Sequence, residues 1–276
     1  MTNRLTVLIP CKDEEHNIRA CIESVKDIAD EILVADSGST DGTLRLVEQI
    51  GGCRVIRRQY VNYGNFVNWA IPQAGFPWVL IIDADERADE KLSAEIRNLL
   101  AGSPPMDAYR MRRENYFFGR QIKHCGWGSD TVIRLFRRDS CRYSKRHVHA
   151  SLQVPPQRCG TLKGKLRHYT CRNLTNCVAT MNRYTTWSAE DKYAAGRRAG
   201  APGLLLRPLL RFFKSYVLKR GFLDGSAGLI VCLNAAFYTY LKYAKLREMH
   251  MPPADATAAA APETPARDQP PANAAA

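Results

Sequence analysis

The sequence predicts an α/β fold, a mostly parallel central sheet followed by C-terminal amphipathic helices, on three observations. Short apolar runs alternate with amphipathic stretches over the first hundred residues, as in repeated β-α units. Three of the four runs end in acidic clusters, at the strand ends where open α/β sheets bind ligands. Beyond residue 204 the composition turns basic and aromatic. Taken in order, 5–9 is a strand and 17–28 its returning helix; 31–35 and Thr43–Ile50 repeat the unit. Residues 54–56 and 66–74, then 78–82 and 90–100, continue it. From 108 to about 169 the periodicity weakens, with strand-like pieces at 109–112, 132–136 and 149–154. Residues 175–196 read as a helix and 204–248 as a separate basic and apolar region. The Ala- and Pro-rich stretch 252–276 has almost nothing to bury and is expected to be disordered. The organisation expected is a domain over 1–200, in halves of about 1–105 and 106–200, then helices over 201–250 and a tail over 251–276.

Composition narrows the class. The chain has 276 residues, 45% hydrophobic and 24% charged, which excludes a wholly disordered, collagen-like or polytopic membrane protein. Forty Lys and Arg against 27 Asp and Glu give +13, a charge that favours a polyanionic partner without choosing one. Nine cysteines without a CxxC pair read as reduced thiols, not a disulfide framework or a zinc ribbon. The apolar run at 5–9 meets Lys12, Asp13, Glu14 and Glu15 at once, too short for a signal-peptide core, so a cytosolic chain is expected. The stretch 227–240 is interrupted by Asn234 and Thr239, and no spanning helix is expected there.

The acidic clusters are Asp13-Glu14-Glu15, the loop from Asp36 to Asp41, and Asp83-Ala84-Asp85-Glu86. Alternate residues of an extended segment share a side, so Asp83 and Asp85 emerge together. Two such carboxylates suit Mg²⁺ or Mn²⁺, which completes its shell with water and phosphate oxygens. The plainer alternative is a solvated acidic turn before a helix capped by Asp89. In 36–43, hydroxyls, glycines and carboxylates sit between strand and helix, where helix-start N–H groups suit a nucleotide. Capping by Ser39 or Asp41 is compatible with that, and leaves Asp36 unexplained. Neither GxGxxG nor a P-loop is present.

Taken together, residues 5–10 with Lys12 to Ile18, the Asp36–Asp41 loop and Asp83-Ala84-Asp85-Glu86 resemble family-2 glycosyltransferases of the GT-A fold. Asn115 to Gly119, Gly126 to Asp130, Arg134 to Arg138 and Leu218 to Gly225 look like the branch that includes bacterial lipopolysaccharide-core β-glucosyltransferases. The resemblance implies an inverting transfer from a nucleotide-sugar, a UDP-sugar first, bound in the half 1–105, to an acceptor bound in 106–200. It implies that Pro10, Glu14, Asp36, Ser39, Asp83 and Arg134 bind the donor. Asp85, with His149 or His168, would hold a divalent metal, and Asp130 would act as general base.

The region 204–247 carries eight basic residues against Asp224 alone, interleaved with aromatics, as in helices lying on an anionic bilayer. The expected partners are thus a nucleotide-sugar, a lipid-linked glycan acceptor and an anionic membrane surface, with no nucleic acid. The expected location is the inner face of the cytoplasmic membrane, bound peripherally. Two alternatives stand beside this reading: transfer to a polyprenyl phosphate, and a non-catalytic protein binding membrane or nucleic acid.

Overall fold

The structure, a computed structural model, describes residues 3–144, 151–171 and 173–251. Four apolar runs form the parallel strands β1 (Leu5–Cys11), β2 (Glu31–Asp36), β3 (Cys53–Arg57) and β4 (Trp78–Ile81), in the order β3-β2-β1-β4. Because successive side chains point to opposite faces, β1 fills two cores at once. Leu5, Val7 and Ile9 pack with Ile18 and Ile22 of α1 (Ile18–Val25) and Val47 of α2 (Thr43–Ile50). Leu8 faces the other way, towards Phe66, Val67 and Ala70 of α3 (Tyr63–Ala70). The helix expected from 66 starts three residues earlier because Asn62 caps it, accepting from the Asn65 N–H at 2.8 Å. Its expected end is a separate 3-10 turn, Ile71–Gln73, that contains a proline.

The second half extends the same sheet. Short β5 (Glu86–Ala88) precedes α4 (Glu90–Ala101), which Asp89 caps through the Leu92 N–H at 2.7 Å. β6 (Ala108–Phe117), β7 (Arg120–Gln121), β8 (Thr131–Arg137) and β11 (Cys159–Cys171) complete the order β4-β8-β6-β11-β5, with β7 beside β6. β8 and β5 run antiparallel to their neighbours, while β6 and β11 are parallel to each other. A small ribbon of β9 (Arg142–Tyr143) and β10 (Leu152–Gln153) lies against α3, where the Asn68 amide bonds the Tyr143 backbone in both directions.

β11, thirteen residues long, has no counterpart among the expected elements. Its signal is present as buried Leu162, Gly164 and Leu166 alternating with more exposed neighbours. That alternation is obscured by the lysines and arginine between them. The piece expected at 149–154 is described only from 151 and contributes β10.

The C-terminal region is helical as expected, in more pieces. α5 (Leu174–Ala194) is capped by Asn173, and α6 (Ala201–Phe213) runs into a π turn at Lys214–Leu218. A 3-10 turn at Gly221–Asp224 leads into α7 (Gly225–Glu248). By length and composition the helical stretch Gly221–Glu248 would suffice to cross a membrane, against the expectation drawn from Asn234 and Thr239. Neither residue interrupts it: Thr239 Oγ1 donates back to the Ala235 carbonyl at 2.9 Å, and Asn234 turns to Cys177 Sγ at 3.7 Å. α7 packs on α5 and α6, and Lys245 Nζ donates to Asn182, Thr185 and Thr186 of α5. All nine cysteines are free thiols. The tail expected to be disordered lies outside the described residues from 252 onward.

α4 clamps β11 because Gly164 carries no side chain. A Cβ there would sit 2.3 Å from the Leu92 backbone. Gly164→Ala is therefore expected to destabilise the fold by about 3 kcal/mol, at the upper end of overpacking costs, read as a lower urea midpoint at unchanged slope.

Candidate active site

The carboxyl ends of β2, β1 and β4 bring the three acidic clusters to one rim. Within the first two, the side chains lace the loops together. Asp36, 2% exposed, accepts from the Gly38 and Ser39 N–H groups at 3.1 and 3.0 Å, so local turn bonding accounts for the carboxylate that capping left unexplained. Ser39 Oγ accepts from the Asp13 N–H at 3.0 Å, and Asp13 Oδ1 accepts from the Thr40 N–H at 2.7 Å. Thr43 Oγ1 takes the Glu14 N–H at 2.8 Å, and Asp41 takes the Glu15 N–H at 3.1 Å. α2 itself begins at Gly42 without a side-chain cap. Pro10, half-buried, is the next-to-last residue of β1 and pairs with Ala35 of β2.

Glu14 projects from that frame towards Asp83 and Asp85. Burial first, and then these two negative charges, push its pKa up to about 7, against the opposing hydrogen bond from Asn17. Asp83 and Asp85 have different partners. Asp83 is bound by Arg134 and by the Tyr63 hydroxyl, the latter at 2.9 Å. Asp85 faces His168 Nε2 at 3.3 Å. Burial works against the charge of Asp85, but His168, Arg113 and Arg134 outweigh it and hold the carboxyl below its usual range. Burial likewise disfavours a charged His168, and Asp85 reverses the balance and raises its pKa.

Glu86 organises the rest of the rim. Its side chain is fully buried, accepting from Arg134 at 2.8 Å and Arg113 at 3.3 Å. Arg134 also donates to Tyr63 at 2.9 Å, and its Nε is buried without a partner among the described residues. Its guanidinium therefore lies within the protein between two carboxylates and does not reach out from the rim. Arg113 continues to Asp130 at 2.8 Å. Asn115 Nδ2 donates to the same Asp130 oxygen at 3.1 Å, while its Oδ1 takes His168 Nδ1 at 2.6 Å. The amide orientation is fixed by that contact, since only an NH₂ can face the carboxylate. His168 consequently presents Nε2 to Asp85.

One chain of contacts thus joins Asp83, Arg134, Glu86, Arg113, Asp130, Asn115, His168 and Asp85. It brings together the expected Asp83, Asp85, Asp130 and Arg134. Asp36 and Ser39 remain with the loops after β1 and β2, and His149 lies outside the described residues. Glu86 and Arg113 were not singled out from sequence. Glu86 stood in the acidic motif but resembled a solvated neighbour of the aspartates, and Arg113 is one of several arginines along a strand.

Among the described residues no group of three or more His, Cys, Asp and Glu forms a closed metal cage. The donor set suits a more open arrangement: a carboxylate of Asp85 and the Nε2 of His168 turned towards each other, with His168 oriented from behind by Asn115.

With this geometry, the fold and rim define a GT-A-like glycosyltransferase, an enzyme. The chain belongs to glycosyl transferase family 2, whose family model matches residues 6–147. It is 32% identical over 252 residues to the lipopolysaccharide core biosynthesis glycosyltransferase LpsC of Rhizobium meliloti (strain 1021), covering 89% of this chain and 93% of that protein. An uncharacterized glycosyltransferase of Rickettsia bellii (strain RML369-C) is 27% identical over 266 residues, covering 91% and 88%. Among solved structures, S. aureus TarS 1–349 in complex with UDP is similar with a TM-score of 0.45 and 14% identity, covering 90% of this chain and 91% of that one.

Two outcomes test the rim. Glu86→Gln leaves the buried Arg134 and the half-buried Arg113 short of a counter-charge and is expected to lower stability by about 3 kcal/mol in urea unfolding. Glu14 has a folded pKa raised above its unfolded one, so its contribution to stability is present below about pH 4.5 and is lost as pH rises through about 7. Glu14→Gln, melted in a chelating buffer, should therefore exceed the parent Tm at about pH 8.5 and match it at about pH 4.5.

Proposed function

We propose that this glycosyltransferase catalyses an inverting, divalent-metal-dependent transfer of a sugar from a nucleotide-sugar, a UDP-sugar first, to a lipopolysaccharide-core or other cell-envelope glycan. The observation that carries the reading is the short link Asp85–His168–Asn115–Asp130. It sets a carboxylate suited to the donor diphosphate and a carboxylate suited to the acceptor on one rim, joined through one amide.

Asp130 takes the proton of the acceptor hydroxyl as that oxygen bonds to the anomeric carbon, and the nucleoside diphosphate departs from the opposite face. Arg113 and Asn115 both bond its Oδ2, which holds the carboxylate in place. Glu14, Asp36, Ser39 and Pro10 frame the base and ribose, and Asp83, clamped by Arg134 and Tyr63, lies between them and the diphosphate. Asp85 and His168 would hold Mg²⁺ or Mn²⁺, and the metal would supply neutralisation of the charge on the leaving diphosphate. Arg134 serves the donor indirectly, by fixing Asp83.

The acceptor class is supported by the Rhizobium meliloti relative, named for lipopolysaccharide core biosynthesis. Attachment to the inner face of the cytoplasmic membrane is supported by α6. Leu205, Leu206, Leu209, Leu210 and Phe213 are all more than half exposed on it, beside Arg207, Arg211 and Lys214.

The test is sugar transfer to a core-oligosaccharide lipid acceptor with Mn²⁺ supplied. Asp130→Asn keeps the shape of the side chain but not its basicity, and should lower kcat by about 10²-fold or more with KM for donor little changed. Asp85→Asn should abolish the metal-dependent rise in Tm given by UDP. Full transfer by both variants would overturn the assignment.

A further inference from the structure

Away from the rim, basic side chains gather where α5, α6 and α7 meet. Lys192, Arg197, Arg198 and Arg207 line a cavity of about 210 Å³ with Tyr243, and no carboxylate lines it among the described residues. Local folding builds this place. α5 ends in a Schellman motif: Gly196 adopts φ +68°, the Arg197 N–H returns to the Lys192 carbonyl at 2.9 Å, and the Gly196 N–H returns to Tyr193 at 2.9 Å. The closure turns Arg197 and Arg198 back beside Lys192 where a continuing helix would carry them away.

Tyr243 is the common surface of these charges. The Arg207 guanidinium lies 4.1 Å from its ring centroid, and the Lys192 and Lys242 ammonium nitrogens lie 5.6 and 5.3 Å from it. Burial, then Lys192, Arg211 and Arg207, push the pKa of Lys242 down. The fold thus concentrates like charges whose mutual repulsion an anion would relieve.

Size and donor geometry select the anion. The cavity, open to solvent on one side, has room for a phosphate. Arginine forks match phosphate oxygens two at a time. A monoester offers three such oxygens and up to two charges, where a diester offers two oxygens and one charge.

We infer that Lys192, Arg197, Arg198, Arg207 and Lys242 around Tyr243 form a binding site for a phosphate monoester, separate from the catalytic rim. α5 connects the two places: Trp187 packs on Tyr60 beside α3, at a centroid distance of 5.8 Å, and Lys192 follows about 7 Å further along the helix axis. A molecule bearing the phosphate would be held off the rim, whether it is a lipid headgroup or a soluble ester. The inference does not depend on the transfer reaction, because its readout is binding.

The experiment uses the full chain in two arms. In the first, the protein is sedimented with phosphatidylcholine vesicles containing phosphatidic acid, or containing phosphatidylglycerol adjusted to the same surface charge. In the second, inorganic phosphate and glycerol 3-phosphate are titrated in a melting assay. Expected is a preference for phosphatidic acid, a rise in Tm with the soluble phosphates, or both. The first response identifies a lipid source and the second a soluble one. Each response should weaken by about tenfold or more in Arg198→Gln and in Arg198→Gln/Arg207→Gln. Lys91→Gln, which removes the same charge from the exposed side of α4 and lies outside the cavity, should retain it. Arg198 is exposed, so its single variant tests the site even where the double variant loses fold. Absence of both responses, or a response that survives Arg198→Gln, or one that Lys91→Gln reduces equally, would overturn the inference.

Discussion

Two guanidinium groups, Arg134 and Arg113, converge on the buried carboxylate of Glu86, and the rim takes its shape from that convergence. A buried charge is tolerated only where it is paired and hydrogen-bonded. Arg134 is buried, so it must be met by carboxylates, and those available are Glu86 and Asp83. Arg113 reaches from Glu86 to Asp130 for the same reason. The positions of Asp83 and Asp130, beside the ends of different strands, are therefore set by one electrostatic requirement. Both carboxylates inherit their geometry from the buried Glu86, through the two arginines.

Reversal of β8 within the otherwise parallel run makes this possible. β4, β6 and β11 deliver Asp83, Asn115 and His168 at or beyond their carboxyl ends, whereas β8 delivers Asp130 just before its amino end. Because β8 runs the other way between β4 and β6, these opposite ends meet on one side of the sheet. The same holds for β5, whose first residue is Glu86 and which pairs antiparallel with β11 at His168. The two halves of the chain are thus one sheet with one rim.

The first half of the chain was legible because its strands are short apolar runs closed by acidic turns, and their positions match the structure to within a few residues. Asp36 shows a limit of such reading: the residue was noticed correctly, but its bonds to Gly38 and Ser39 depend on a turn that no spacing rule specifies. β11 was hidden because its exposed face is strongly basic, which broke the apolar run on which strand recognition relies. Glu86 and Arg113 were hidden for a further reason. Their importance lies in pairing across 27 residues of sequence, and charge pairing between strands leaves no local pattern. His168, by contrast, was already a candidate, and only its partners Asp85 and Asn115 separate it from an ordinary structural histidine.

Asp224, at the head of α7, accepts from the backbone N–H groups of Lys123 and His124, at 3.2 and 2.8 Å, and pairs with the His124 ring at 3.0 Å. The Cys125 N–H returns to the Lys219 carbonyl at 3.2 Å. The loop leading to Asp130 is thereby bolted to the helical region at several points. The spacing between this loop and the start of α7 is thus a built-in dimension of the molecule, like the gap of a caliper.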